Sequence, residues 1–270
     1  MSERRANDGQ PEITKAFVEE AIARNRAFLR ADLWAEWKIR DMGTDERHGV
    51  PAPPLQKPYD EQAPRIPLVP PESFSLGRVP LIDVIGRRQS RRTYSAGPLT
   101  LEELSFLLWA TQGVHKIIRE GKATARTVPS GGARHPFETY PVVNNVEGLE
   151  PGIYRYLPLS HELLLEDTPD NLPEAVHRAC LQPFVAEAAV VFVWSVIPYR
   201  SEWRYSFLSH KVIAQETGHL GQNLYLASEA IGAGACVLGT YDQEAIDALL
   251  GLDGEDEFVI YIAAVGKLDE

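Results

Sequence analysis

Nine of the chain's 20 prolines fall between Pro51 and Pro80, in PAPPLQKPYDEQAPRIPLVPPESFSLGRVP, and no other feature limits the possible folds so strongly. Proline lacks an amide proton and fixes its own φ. A segment this rich in it cannot form a helix or a central strand and is expected to run extended over a surface. It divides the chain into residues 1–80, an N-terminal helix followed by a proline-rich arm, and residues 81–270, one compact domain. Upstream of the arm, Ile13 to Arg40 contains no proline, and Phe17, Ala21, Ile22, Phe28, Leu29, Leu33 and Trp37 recur at roughly helical spacing. The acids of this helix (Glu19, Glu20, Asp32, Glu36) interleave with its bases. That favours a solvated helix packing on its own protein or on a second subunit over one bound to membrane or nucleic acid.

The 270 residues are 44% hydrophobic and 24% charged, enough to bury a sizeable core without covalent staples. Cys180 and Cys236 stand far apart with no CxxC, which excludes a disulfide scaffold and supports neither zinc nor a redox pair. With no apolar signal-peptide region behind MSERRANDGQ, the expected compartment is cytoplasmic. The net charge of −11 makes nucleic acid an unfavourable partner. The longest apolar run, Ala188 to Ile197 (AAVVFVWSVI), is about half of a bilayer span, so it reads as a buried strand and not as a membrane segment.

From Leu81 the pattern is that of an α+β domain. Thr100 and Glu103 form a capping box that opens a helix with the stripe Leu104, Leu107, Leu108, running up to Gly113. Strands are expected at Thr139 to Val143, Gly152 to Tyr156, Leu163 to Leu165, Ala188 to Ile197 and Phe258 to Val265. Helices are expected around Pro173 to Cys180, from Phe207 to Ala230 and from Asp242 to Leu250. The longest carries the stripe Ile213, Thr217, Leu220, Leu224, Ala227, Ile231. Strands and helices mix without regular βαβ alternation and without an internal repeat.

Three stretches could carry chemistry. Arg87 to Tyr94 (RRQSRRTY) sets four arginines and a serine together in an acidic protein, a set suited to a phosphate, although a solvated basic turn has the same composition. Arg126 to Pro136 (RTVPSGGARHP) has two glycines that let a backbone approach a flat ligand, or that simply make a turn; it is neither GxGxxG nor a P-loop. Ile231 to Thr240 (IGAGACVLGT) closes the long helix with small residues, Gly232 being a natural C′ glycine. Glu216 and His219 have the i, i+3 spacing of carboxylate–histidine metal sites, but no second acid-rich helix accompanies them, so no metal is expected.

Taken in order, Arg-x-Ser-x-Arg, then Pro-Ser-Gly-Gly-x-x-x-Pro, then a long helix ending Gly-x-Gly-x-x-x-x-Gly resemble the flavin-dependent nitroreductase superfamily. Within it, PLTLEELSFLLWATQG, RTVPSGGARHPFETYPVV, GLEPGIYRY and ETGHLGQNLYLASEAIG resemble the SagB/ThcOx-type dehydrogenases, which oxidise peptide thiazolines and oxazolines to azoles. The resemblance spans roughly Pro64 to Gly266. It implies a mixed sheet flanked by helices, a homodimer, and FMN at the subunit interface. By position, Arg88, Gln89, Ser90 and Arg92 would hold the FMN phosphate and ribityl chain, and Lys267 could add to the phosphate site. Pro129, Ser130, Gly131 and Gly132 would reach the flavin from the partner subunit, and Val237, Leu238 and Gly239 would lie by the isoalloxazine. The branch's Lys-Tyr pair reads Arg204-Tyr205 here, fourteen residues before Gly218-His219. An arginine stays protonated at any working pH, so Arg204 can orient a substrate but cannot act as base, leaving Tyr205 for proton transfer. His135 stands where an aromatic residue is usual and is expected to pack. The implied activity is FMN-dependent oxidation of a peptide or small-molecule heterocycle, with dioxygen or an organic acceptor reoxidising the flavin. Reduction of nitro, quinone or enone compounds by NAD(P)H, or flavin binding without turnover in a peptide-modifying complex, are the other readings.

Overall fold

The computed structural model describes residues 13–36 and 43–269. Contacts divide the chain at Gly43. Ahead of that point lie helices α1 (Lys15–Leu29) and α2 (Asp32–Glu36). The single helix expected over Ile13 to Arg40 is corrected by this break, and residues 37–40 of it lie outside the described residues. Arg30 leaves the helix with φ −79° and ψ 162°, and its guanidinium turns to Asp32 at 2.5 Å. Thr14 caps α1 by accepting from the Phe17 N–H, and none of its residues is buried.

From Gly43 onward the chain forms a seven-stranded, wholly antiparallel sheet with helices on both faces. Its strands are β1 (Arg65–Pro67), β4 (Phe137–Val143), β5 (Gly152–Leu157), β6 (Glu162–Asp167), β7 (Val190–Val196), β8 (Ala233–Leu238) and β9 (Phe258–Lys267), in the order β1-β6-β5-β4-β7-β9-β8. A separate hairpin joins β2 (Val114–Ile118) to β3 (Ala123–Arg126). The long apolar run is β7, paired along its length with β4 and β9. It is apolar apart from Ser195, which donates to Glu257 Oε1 at 2.6 Å, because both of its faces are buried. Phe192, Trp194 and Val196 pack beneath α4 (Leu101–Gln112) and α7 (Ser209–Ala230), with Leu104, Leu107, Leu108, Ile213, Leu220 and Leu224. Val191 and Val193 meet α5 (Leu172–Cys180) and α8 (Gln243–Leu249) on the other face, through Val176, Ala179 and Ile246.

The capping box forms as expected, with Thr100 Oγ1 accepting from Glu103 N and Glu103 Oε2 from Thr100 N. The buried line of α7 departs from the expected one at two residues: Ile231 caps the helix and is half-buried, and Glu216, 3% exposed, fills the place given to Thr217, which is only partly covered. Both positions satisfy helical spacing between Ile213 and Leu220, and polarity favoured the wrong one. Gly232 ends α7 with φ +70°, a glycine conformation.

The proline segment belongs with the second unit. Its expected extended course includes the three-residue edge strand β1 and is corrected at a 3₁₀ turn over Pro71–Ser73. β1 pairs only with β6, and this edge position tolerates Pro67. Elsewhere buried polar side chains hold the segment. Glu138 accepts the Lys57 N–H at 2.7 Å, Arg126 donates to the Leu55 carbonyl at 3.0 Å, and Ser105 accepts the Val69 N–H at 3.0 Å. Two further helices, α3 (Leu81–Arg87) and α6 (Tyr199–Tyr205), lie where the sequence shows no clear periodicity. The small-residue stretch after α7, expected as a helix end, is strand β8 from Ala233.

Candidate functional site

Two clusters of the expected site residues form, both against α7. The first begins where α3 ends. Arg88 is extended (φ −50°, ψ 122°), and the chain then runs beside β8, with Ser90 bridging Ala235 and the Arg91 N–H donating to the Ala235 carbonyl at 2.9 Å. Gly234 is required here, since a Cβ on it would lie 2.7 Å from Arg91 Cβ. Tyr94 fastens the loop to β9, its hydroxyl 2.9 Å from the Arg91 carbonyl and 3.1 Å from that of Ala264. Burial pushes this phenol well above its ordinary pKa.

Tyr225 of α7 organises the cluster. Its hydroxyl accepts the Val237 N–H at 3.0 Å and exchanges a hydrogen bond with Ser90 Oγ at 2.8 Å. The Arg88 guanidinium stacks 5.1 Å from its ring centre. Arg87 pairs with Glu229 at 3.4 Å, but no ion pair among the described residues involves Arg88, Arg91 or Arg92, and Arg91 Nε is buried without a partner. Three guanidinium groups without such an ion pair, on one loop with a serine hydroxyl, supply the types of donor a phosphate requires.

The second cluster is the glycine loop. The Gly131 N–H donates to Glu216 Oε1 at 2.6 Å, Ser130 also hydrogen-bonds this carboxylate, and the His135 N–H donates to Ser130 Oγ at 2.9 Å. His219 Nδ1 donates to the Pro129 carbonyl at 3.2 Å and Arg119 to that of Gly132 at 2.9 Å. Gly132 has φ +63°. A Cβ on it would lie 2.6 Å from Arg204 Cδ and 2.8 Å from the Tyr205 hydroxyl; one on Gly131 would lie 2.8 Å from Val212 Cγ1. The loop therefore rests on Arg204 and Tyr205 of α6, and only a backbone without side chains fits there.

The Arg204 guanidinium is paired with Glu46 and lies 5.6 Å from the centre of the Tyr205 ring. Glu46 is itself fixed by its N–H, which donates to the Trp203 carbonyl. Burial raises the Glu216 carboxyl to about 7, against the hydrogen bonds from Gly131 and Ser130 that pull it down. His135 is buried and hydrogen-bonded to the Thr124 carbonyl; burial and the nearby Arg126 charge depress it to about 3, so it packs as a neutral ring.

Other expected site residues are placed less directly. Gln89 and Arg92 are exposed. Strand alternation separates Val237, which packs toward α7, from Leu238, whose side chain joins the opposite core; Leu238 can face a ligand over β8 only through its backbone. Gly239 is open. Lys267 donates to Glu103 Oε1 at 2.5 Å, so its charge is already matched. Glu216 and Tyr225, nine residues apart, separate the two clusters by roughly 14 Å along α7. Glu216 and His219 hold different parts of the loop, and among the described residues no group of three or more His, Cys, Asp or Glu side chains could hold a metal. Tyr225, Glu46 and Arg91 were not singled out from the sequence: Arg91 and Tyr225 lie inside the quoted stretches but at positions that carry no assigned role, Glu46 lies outside them, and each acts through a partner distant in sequence.

Comparison with known proteins follows the same outline. The model of the nitroreductase family matches residues 85–267. A protein of Methanocaldococcus jannaschii described as a nitroreductase is 32% identical over 189 residues, covering 70% of this chain and 91% of its own length. The trifolitoxin-processing protein TfxB of Rhizobium leguminosarum bv. trifolii is 30% identical over 146 residues, 49% of this chain and 37% of the relative. Among solved structures, one from Ralstonia eutropha described as a nitroreductase superposes with a TM-score of 0.63 at 27% identity, covering 82% of this chain and 99% of that one. Among the described residues no helix is long and apolar enough to cross a membrane.

Proposed function

The chain belongs to the nitroreductase family of oxidoreductases, and from that premise we propose that it is an FMN-dependent dehydrogenase of the SagB/ThcOx type, acting on an azoline heterocycle in a peptide or small molecule. The observation that carries the flavin reading is the arginine and serine loop fastened to β8 by Tyr225, with Arg88, Arg91 and Arg92 left without counter-ions among the described residues. Arg88, Ser90 and Arg92 would bind the FMN phosphate, with Gln89 along the ribityl chain; Lys267, already matched by Glu103, contributes less than its position implies. Val237, Leu238 and Gly239 would border the ring through the β8 backbone. The 14 Å between the clusters is consistent with a homodimer in which Pro129, Ser130, Gly131 and Gly132 serve the partner's flavin.

FMN supplies the hydride chemistry when bound, which no side chain here can perform. What the chain adds is orientation and charge. Tyr205 presents a hydroxyl against the glycine loop and is the group for proton transfer. Arg204 stays cationic beside it, held by Glu46, and stabilises negative charge without accepting a proton. The likeness to a toxin-processing relative supports a peptide substrate and a peptide-modifying partner. Arginine in place of the branch's lysine favours another reading, flavin binding without turnover in a peptide-modifying complex; reduction of nitro, quinone or enone compounds by NAD(P)H is the remaining alternative.

The deciding experiment is an absorption spectrum of the purified protein combined with its native mass. A yellow dimer carrying one FMN per chain is expected. A colourless protein that takes up no added FMN overturns the reading. Rapid bleaching of the flavin by NADPH selects the reductase alternative, and slow bleaching with turnover of an azoline peptide selects the dehydrogenase.

A further inference from the structure

Glu216 sits on the buried line of α7, between Ile213 and Leu220, where an apolar residue would continue the packing at lower cost. Among the described residues no cation pairs with it. Its partners are the Gly131 N–H at 2.6 Å and Ser130, and Oε2 is buried with no hydrogen-bond partner. A carboxyl held only by neutral donors is explained by what it holds, and what it holds is the glycine loop. His219 and Arg119 reach the same loop from exposed positions at Pro129 and Gly132, whereas Glu216 grips it from the core side.

The height of that loop has consequences one residue further on. A Cβ built on Gly131 would lie 3.3 Å from Glu216 Oε1 and 3.6 Å from Tyr205 Cε2, and one on Gly132 would lie 2.8 Å from the Tyr205 hydroxyl. The loop backbone is thus the floor against which the phenol and the Arg204 stem rest. Pulling Gly131 down or releasing it moves that floor.

We propose that Glu216 is a positioning residue whose carboxyl fixes the Ser130–Gly132 backbone against α6 and α7, and thereby sets the place of Tyr205 and Arg204 in the flavin site. The final clause rests on the flavin reading above; the grip on the loop does not.

The test uses the full chain, comparing wild type, Glu216→Ala, Glu216→Gln and Ser130→Ala. Amide exchange is read by mass spectrometry over residues 127–136, with β7 as internal reference, and FMN affinity by quenching of flavin fluorescence. Glu216→Ala is expected to speed exchange in 127–136 about ten-fold while leaving β7 unchanged, and to weaken FMN binding about ten-fold. Glu216→Gln keeps an amide oxygen for Gly131 and Ser130, and should restore both readouts to within about three-fold of wild type. Ser130→Ala removes one of the two grips and should speed loop exchange by a smaller factor, which decides the matter if Glu216→Ala does not fold.

Three outcomes overturn the proposal: loop exchange unchanged in Glu216→Ala and Ser130→Ala, exchange rising equally in β7, as a general packing role would give, or no rescue by glutamine. A wild-type chain that takes up no FMN overturns the flavin reading, and loop exchange alone then decides the grip.

Discussion

The Ser90 and Tyr225 hydroxyls lie 2.8 Å apart, and the same Tyr225 oxygen accepts the Val237 N–H, so one phenol ties the loop after α3 to helix α7 and strand β8. Tyr225→Phe removes both bonds while keeping the ring under Arg88. The Val237 N–H then lacks its acceptor, at a cost of about 1–2 kcal/mol. Urea denaturation should show that loss, and FMN titration should show affinity reduced about ten-fold because Ser90 is no longer aimed. Unchanged FMN affinity in a destabilised variant would remove Tyr225 from the proposed phosphate site.

Arg88 and Arg92 contribute charge where no carboxylate among the described residues neutralises it. Arg92→Ala should release FMN, raising its Kd at least ten-fold, with little change in melting temperature because the side chain is exposed. Full FMN occupancy in the purified variant would overturn its assignment to the phosphate. The remaining binding should weaken as salt is raised, since the attraction is between charges near the surface.

Glu216 makes stability depend on pH in a defined direction. Its carboxyl is raised from an ordinary 4.5 to about 7 by burial. Below pH 4.5 it is protonated whether the chain is folded or not and contributes nothing. As pH rises toward 7 the unfolded chain ionises it first, so the folded state loses up to about 3 kcal/mol. Glu216→Gln, neutral throughout, should gain on the wild type between pH 5 and pH 8 by that order. Parallel stability profiles for the two proteins would show that the carboxyl is not perturbed.

Two glycines should respond oppositely to alanine. At Gly132 the backbone is left-handed and a Cβ would overlap Arg204 and Tyr205, so Gly132→Ala is expected to destabilise by about 2 kcal/mol or more. Gly86, within α3, has open space where its Cβ would stand. Gly86→Ala should stabilise by about 0.5–1 kcal/mol through helix propensity. Thermal melts of the pair check both signs.

Much of the scaffold can be read from local pattern. The capping box at Thr100 and Glu103, the doubly buried run of β7 and the end of α7 at Gly232 each depend on residues within a few positions of one another. The hairpin β2–β3 and strand β8 could not be read this way. Their residues (VHKII, ATAR, AGACVL) have no clear alternation, and β8 is built from small residues because Arg91 packs against Gly234. The break in the N-terminal helix was hidden because Arg30 and Ala31 are ordinary helix formers; the turn is taken by the extended Arg30 backbone, and its side chain pairs with Asp32.

The sequence by itself determined the α+β class, the acidic character that isolates Arg87 to Arg92, the glycine pair at 131 and 132, and the absence of a lysine beside Tyr205. These are matters of residue type and spacing along the chain. Only the tertiary structure decided that Tyr225 organises the arginine loop, that Glu46 neutralises Arg204, that Leu238 turns away from Val237, and that Glu216 is a buried grip on the glycine loop. The physical reason is that hydrogen bonds, ion pairs and desolvation act over a few ångströms of space, and the partners here lie 85 residues apart for Gly131 and Glu216, 135 for Ser90 and Tyr225, and 158 for Glu46 and Arg204.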